Sequence, residues 1–335
     1  MKTKLYVYIL LCASFAALFQ ACEKQSADTE NIVYRLKWLM NSGAAGSLFA
    51  NANGYFHEQG LKVTIRPGGV EHNAITELEM GRAQFGVASG DQIIRALEKG
   101  APICVIAQLF QKSPLCWMYY KNRHPFHSLQ DLKGKTIGIT FGNEDETIMR
   151  ALLKKAGLKP EKDVSFYSVR YDYTPFYTGK VDLWPVYRNS NGVIIQEKLK
   201  SANETIGFFS PHDHDIAFVG NSVISTQKMI SENPSRVKKF CKALLKGWQA
   251  VLSEKNRDQA VSIIQGFDKG TKKHLIVKQM TSSRALMIPE NNQPVGIINP
   301  SVWKQTEHCL LEQNIIKKPV LNQTNNVFFY GGTNE

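Results

Sequence analysis

Short β-rich runs alternate with helical stretches along most of the chain. Strands joined through helices pair in parallel, and a parallel sheet needs helices on both faces, so this alternation narrows the fold to an α/β class. Val33–Leu39 reads as a strand, Ser47–Gln59 as a helix ending at Gly60, Leu61–Arg66 as a strand and Asn73–Met80 as a helix closed by Gly81. Phe85–Ala88 follows as a buried strand, Asp91–Lys99 as a helix ending at Gly100 and Ile103–Phe110 as another strand. The pattern resumes with a turn of helix at Ser128–Leu132, a strand at Lys135–Thr140 and a helix at Glu144–Lys155 ending at Gly157. Strands at Val164–Val169 and Asp182–Val186, a helix at Asn191–Leu199, and strands at Glu204–Ser210 and Val219–Ser225 complete the alternation. Asn233–Leu252 is a long helix with Pro234 in its first turn, where proline removes no intrahelical hydrogen bond.

Residues 23–335 are too many for one ordinary core and fit two lobes, which implies a cleft. The expected division is a first lobe over 33–116, a second over 117–221, and a return to the first lobe with C-terminal helices over 222–335. The chain should cross between lobes near Trp117–Lys121 and Val219–Ser225, making a two-strand hinge.

Lys2 and Lys4 precede an apolar run from Leu5 to Phe19, the order of a secretory signal. The run ends in Leu18-Phe19-Gln20-Ala21-Cys22, a spacing that resembles the bacterial lipobox, so residues 1–22 are expected to be a lipoprotein signal and Cys22 the lipidated residue. The polar stretch 23–32 reads as a tether. An acylated cysteine would hold the protein on a membrane surface without spanning it, and the expected location is periplasmic, anchored to a bacterial membrane.

Lysine and arginine number 41 against 29 acidic residues, and loss of Lys2 and Lys4 would leave 39 against 29. The basic residues are scattered rather than aligned in a stripe with stacking aromatics, so the excess reads as solvated surface and no nucleic-acid partner is expected. Of six cysteines, Cys104, Cys116, Cys241 and Cys309 lie beyond the anchor. Two disulfides would suit an oxidising compartment. The apolar settings of Cys104, Cys116 and Cys241 suit buried thiols instead.

Several short motifs fall in a recognisable order. Gly54-Tyr55-Phe56-x-x-x-Gly60-Leu61-x-Val63, Pro67-Gly68-Gly69 and Gly81-x-Ala83-x-Phe85-Gly86-Val87-Ala88 come first. Phe110-Gln111-Lys112-Ser113-Pro114, Asp131-Leu132-Lys133-Gly134-Lys135, Gly179-Lys180-Val181-Asp182, Pro185-Val186-Tyr187 and Lys246-Gly247-Trp248 follow. Over roughly residues 33–290 the chain resembles the nitrate, sulfonate and thiamine-pyrimidine type of solute-binding protein. The resemblance implies a type II periplasmic-binding fold with mostly parallel sheets, acting as the substrate-binding component of an ABC importer with permease subunits as partners. Its nearest branch resembles binders of thiamine-pyrimidine precursors and riboflavin-like rings, with sulfonate and nitrate binders further off. The same resemblance extends to thiamine-pyrimidine synthases, which require a lysine and a histidine on the helix after the third strand and a cysteine-rich run later. Here that helix begins Ser89-Gly90-Asp91-Gln92-Ile93-Ile94-Arg95, and Phe218-Val219-Gly220-Asn221-Ser222 stands where the cysteines would be. The chain is therefore expected to be a monomeric binding protein, not an enzyme, without a cofactor.

A planar ring is best held by aromatic faces and a few fixed polar groups at the carboxyl ends of strands. Trp38 and Asn41 follow the first strand, with capping of the core the plainer role for Trp38. Gly90, Asp91 and Gln92 open a helix after the third strand, Asp91 serving equally as a cap. Gly142 and Asn143 offer N–H groups that would suit an oxyanion or a ring carbonyl. Tyr171, with Tyr173 in the same loop, and Trp184 and Tyr187 supply aromatic faces, Trp184 alternatively packing in a core. Gln111 and Trp117 lie where the lobes join, as hinge or pocket residues. His212-Asp213-His214-Asp215, in a loop without a partner pair, reads as a solvated turn, and no metal is expected. No GxSxG, Walker A or HExxH pattern occurs.

Overall fold

Alternate side chains of the first strand point to two different cores, and that parity sets the layers. In the computed structural model, which describes residues 31–69, 71–123, 125–170, 172–289, 293–321 and 327–330, β1 (Asn31–Arg35) lies between β2 (Lys62–Arg66) and β3 (Phe85–Ser89), parallel to both. Ile32 and Tyr34 enter one core with Phe85 and Val87, while Val33 packs on the other with Ala88. Such two-sided burial is the period-2 signature of a sheet covered on both faces. The five-stranded order is β2-β1-β3-β10-β4, in which β10 (Asn221–Thr226) runs antiparallel between β3 and β4 (Ile103–Gln108).

Helices α1 (Ala45–Ala52) and α2 (Tyr55–Glu58) supply Leu48, Phe49 and Phe56 to the first core. Across the sheet, α3 (Ala74–Glu79) and α4 (Gly90–Glu98) supply Ile75, Leu78, Ile93 and Ile94. Beneath β1, the buried Arg35 donates to Glu77 Oε2 at 2.6 Å, and Glu77 also pairs with Arg82.

The second half repeats the plan. β5 (Leu115–Tyr120) runs antiparallel between β8 (Trp184–Tyr187) and β9 (Ile206–Phe209), while β6 (Thr136–Ile139) pairs in parallel with β7 (Ser165–Ser168). Gly138 N–H donates to the Leu183 carbonyl at 2.8 Å, joining β6 to the residue before β8. Read across, β7-β6-β8-β5-β9 has the same order as the first sheet, again with one antiparallel strand fourth. Helix α5 (Glu144–Ala156) covers one face with Ile148, Met149 and Leu152; α6 (Thr174–Tyr177) and α7 (Asn191–Lys200) cover the other with Phe176 and Ile195.

The remaining helices are α8 (Gln227–Glu232), α9 (Pro234–Val251), α10 (Arg257–Phe267), α11 (Lys273–Met287) and α12 (Pro300–Glu312). Helix α9 crosses α1 where two glycines allow close approach: a Cβ on Gly46 would lie 2.2 Å from the Trp248 ring, and one on Gly247 2.3 Å from the Gly46 carbonyl oxygen. Phe240 of α9 stacks on Phe85 with ring centroids 3.7 Å apart. Helix α12 gives Trp303 and Leu310 to a first-sheet core and Cys309 to a second-sheet core, so it touches both halves. Among the described residues no helix is long and apolar enough to cross a membrane.

Several expected boundaries move for physical reasons. The first strand begins at Asn31, inside the expected tether, and ends at Arg35 rather than Leu39, where the Arg35 guanidinium turns in to Glu77. The helix expected over 47–59 breaks at Gly54, whose φ of +72° is left-handed. Trp117–Lys121 and Val219–Ser225, expected to cross between lobes, lie largely within β5 and β10; the chain passes between the two sheets over residues 109–114 and 210–220. The expected signal, residues 1–22 with Cys22, lies outside the described residues, as does the tether up to residue 30.

Candidate functional site

Strand ends from both sheets converge on one carboxylate. After β1 the chain leaves the ladder and carries Lys37 toward the second sheet; β8 ends at Tyr187, and α5 opens with Glu144 directly after the loop that follows β6. Lys37 Nζ donates to the Tyr187 hydroxyl at 3.4 Å, and that hydroxyl donates to Glu144 Oε2 at 3.0 Å. Lys37 Nζ lies 3.9 Å from the same oxygen and 5.4 Å from the centre of the Tyr187 ring. Ser113, in the first connection between the sheets, donates to Glu144 Oε1 at 3.1 Å.

A second contact spans the gap beside the first. Arg95 of α4 donates to the Gly142 carbonyl at 3.2 Å and to Thr147 Oγ1 at 3.3 Å, and its Nε lies 4.0 Å from Asp91 Oδ2. Asp91 is buried and accepts a hydrogen bond from the Ser89 hydroxyl at 2.6 Å.

Burial decides the electrostatics. It pushes the Glu144 carboxyl up to about 7; Lys37 pulls it down, Asp91 pushes it further up, and the Tyr187 and Ser113 hydroxyls lower it. Burial likewise pushes Asp145 up to about 6, against the Thr140 N–H that it accepts. The Tyr187 phenol is raised well above its ordinary value, first by burial and then by Glu144, so it remains a donor.

The residues singled out in the sequence separate into three groups. Asp91 and Tyr187 enter the convergence, and Gly142 borders it through its carbonyl. Others spend their polar groups locally. The Asn41 side chain accepts Gly43 N–H, Gln92 Oε1 accepts Ser89 N–H at 3.3 Å, and Gly90 N–H donates to the Val219 carbonyl. Gly142 N–H, read from sequence as free for a ligand, donates to Glu146 Oε2 at 2.7 Å, because the acidic first turn of α5 folds back on its own loop. Asn143 is exposed, and Gln111 bridges the Gln108 and Ile297 carbonyls within the connection.

The third group corrects the aromatic walls. Trp184 is 2% exposed and packs against Tyr173 and Phe176, because it shares strand parity with Val186 and faces the second-sheet core. Trp117 is also buried, with its ring N–H donated to the Gly138 carbonyl. Trp38 is 44% exposed and joins the fold through its backbone carbonyl, which accepts Gly68 N–H. Tyr171 lies outside the described residues. Cys104, Cys116, Cys241 and Cys309 are buried free thiols rather than disulfide partners. Among the described residues no group of three histidine, cysteine or acidic side chains is placed to hold a metal ion.

Lys37 and Glu144 were not singled out from sequence. The available signal was position: Glu144 opens the helix after β6 much as Asp91 sits in the first turn of the helix after β3.

Comparison with known proteins gives the chain its relatives. Residues 41–257 match the family described as NMT1/THI5 like. The riboflavin-binding protein RibY of Chloroflexus aurantiacus is 24% identical over 324 residues, covering 91% of this chain and 87% of its own. The formylaminopyrimidine-binding protein of Halalkalibacterium halodurans is 24% identical over 331 residues, covering 96% of this chain and 97% of its own. A Saccharomyces cerevisiae 4-amino-5-hydroxymethyl-2-methylpyrimidine phosphate synthase, THI13, is 25% identical over 235 residues, 68% of each chain. Among solved structures, the periplasmic aliphatic sulphonate binding protein SsuA of Escherichia coli superposes with a TM-score of 0.69 at 16% identity, covering 91% of this chain and 96% of its own. The fold is thus that of the periplasmic binding proteins.

Proposed function

The chain belongs to the NMT1/THI5-like family, and from that premise we propose that it is the substrate-binding component of an ABC importer, capturing a small planar heteroaromatic solute between two lobes. The observation that carries this reading is the meeting of Lys37 and Asp91, from the first sheet, with Glu144 and Tyr187, from the second, at the strand ends where open α/β sheets receive ligands. The lobes are built on the two sheets: residues 31–108 with those from 221 onward, and residues 115–209, joined through 109–114 and 210–220. A thiamine-pyrimidine precursor is the solute class favoured by the pyrimidine-binding relative, which aligns over nearly its whole length; a flavin ring is the alternative offered by the riboflavin-binding one.

A ligand touching both lobes favours the closed arrangement by its differential affinity for it, and a permease then reads that arrangement. Cys22 carries the lipid that keeps the protein beside its permease, and one copy suffices. Binding rather than synthesis is supported by the two binding-protein relatives, which align over more of this chain than the yeast synthase does. It is supported also by Ser89–Arg95 at the start of α4, which lacks lysine and histidine.

A thermal-unfolding screen of the mature chain with pyrimidines, flavins, sulfonates and nitrate tests the reading. A cognate ligand at a hundred times its dissociation constant stabilises the protein by about 2.7 kcal/mol. No response to any ring would count against it. Rescue of a pyrimidine-requiring strain by the mature chain in the cytosol would favour the synthase instead.

A further inference from the structure

We propose that Glu144 is the residue that selects the ligand, that it does so by accepting hydrogen bonds from a positively polarised nitrogen, and that Lys37 is the built-in occupant which that nitrogen displaces. The inference rests on the interlobe-binding reading above and deepens it: the preferred solute is an amino-substituted nitrogen heterocycle, and oxyanions such as sulfonates and nitrate are excluded.

Three independent features of the gap lead there. The first is what already sits in it. The Lys37 ammonium is held 3.9 Å from Glu144 Oε2 and 5.4 Å from the centre of the Tyr187 ring. A carboxylate beside an aromatic face is how a protein holds a cationic nitrogen, and here the chain supplies that cation itself.

The second feature is the state of the helix starts that would otherwise bind an anion. Exposed N–H groups at a helix N-terminus attract oxyanions. In the loop entering α5 the N–H groups are taken by the helix's own carboxylates: Thr140 N–H donates to Asp145 and Gly142 N–H to Glu146. In α4, Ser89 N–H goes to Gln92 Oε1 and Gly90 N–H to the Val219 carbonyl. An oxyanion entering here finds these four N–H groups already bonded and the buried carboxylates of Asp91 and Glu144 beside it. Arg95 does not reverse this: its Nη groups are bonded across the gap, and its Nε, which has no hydrogen-bond partner, is buried 4.0 Å from the Asp91 carboxylate.

The third feature is capacity. A carboxylate accepts about four hydrogen bonds, and Glu144 receives one from Tyr187 and one from Ser113, with Lys37 standing near by. When Lys37 withdraws, Glu144 retains its two hydroxyl donors and has room for an amino N–H together with the N–H of an adjacent ring nitrogen that has taken up the carboxyl's proton. That pair matches the two oxygens of one carboxylate. The chain's own stem can swing aside because lysine is flexible and its head prefers water.

Isothermal titration at pH 7 with formylaminopyrimidine, the same pyrimidine lacking its ring amino group, riboflavin, ethanesulfonate and nitrate tests the proposal on wild type, Glu144→Gln and Lys37→Ala. Thermal unfolding of each variant checks that it is folded. The aminopyrimidine is expected to bind wild type best and to lose roughly tenfold or more in Glu144→Gln, the scale of a hydrogen bond to a charged group. It should gain several-fold in Lys37→Ala, while the two anions bind none of the three. Ring binding that Glu144→Gln leaves unchanged, or that Lys37→Ala weakens, overturns the proposal while leaving the interlobe reading intact. Binding of ethanesulfonate or nitrate in preference to the rings overturns the selectivity. No binding of any probe to folded wild type overturns both.

Discussion

Tyr187 donates its hydroxyl proton to Glu144 Oε2 at 3.0 Å, and the same two residues receive Lys37 from the opposite sheet. One buried carboxylate therefore depends on donors from both halves of the molecule. Removing a donor is felt by a group that water cannot reach.

Tyr187→Phe is expected to destabilise the ligand-free protein by about 1–3 kcal/mol, the usual result of withdrawing a partner from a buried charged acceptor. Urea unfolding of the two proteins measures it. A change within error would show that water or another donor replaces the phenol.

The raised carboxyls give a signed pH dependence. Burial first of all pushes Glu144 up to about 7 and Asp145 to about 6, so each binds its proton more tightly folded than unfolded. The stability this contributes is complete below the ordinary carboxyl value and is lost as pH rises through the folded values. Between about pH 4.5 and 7 the ligand-free protein should lose on the order of 4 kcal/mol from this pair, and Glu144→Gln should flatten the slope. Thermal unfolding across that range checks it. The groups facing Glu144 are Lys37, Asp91, Tyr187 and Ser113. A ligand bringing positive charge should release protons on binding; an anion should take them up.

The Arg35–Glu77 pair acts in the opposite sense. Burial would raise the Glu77 carboxyl, but hydrogen bonds from Arg82 and Arg35 outweigh it and hold the group below its ordinary value. Its stability is present above the unfolded value and lost on acidification below it. Glu77→Gln strands the Arg35 guanidinium in the core and should cost about 3–5 kcal/mol at pH 7. Chemical denaturation of the variant shows the loss, and a cost below 1 kcal/mol would mean that Arg35 relaxes to solvent.

Trp184→Phe separates core from pocket. With the ring packed on Tyr173 and Phe176, the substitution should lower the unfolding midpoint and leave ligand affinity of the folded protein within about twofold, because a large-to-small core change acts on stability. A tenfold loss of affinity, measured by titration below the melting range, would return Trp184 to the ligand.

Much of the architecture was legible because it depends on short-range chemistry. Helices ending at glycine and strands of alternating or continuous apolar residues gave the βα order that the two sheets follow. What escaped was direction. Trp184 and Tyr187 belong to one short strand, and with a two-residue repeat the pair cannot both face the same side; Val186 settles that Trp184 turns inward. The doubling of one sheet order was also hidden, since Trp117–Lys121 reads as a crossing between lobes until β5 is seen to run antiparallel between β8 and β9. Lys37 and Glu144 look like surface charges one at a time. Only their meeting across two sheets makes them a site.

A crystal structure of the mature chain with formylaminopyrimidine shows whether the ring meets Glu144 between the two sheets. The ring is expected between the two sheets, with nitrogen donors within hydrogen-bonding distance of Glu144, Tyr187 in contact, and the Lys37 ammonium withdrawn from the carboxylate. A ring bound to one lobe alone, or lodged away from Lys37, Asp91, Glu144 and Tyr187, would contradict it.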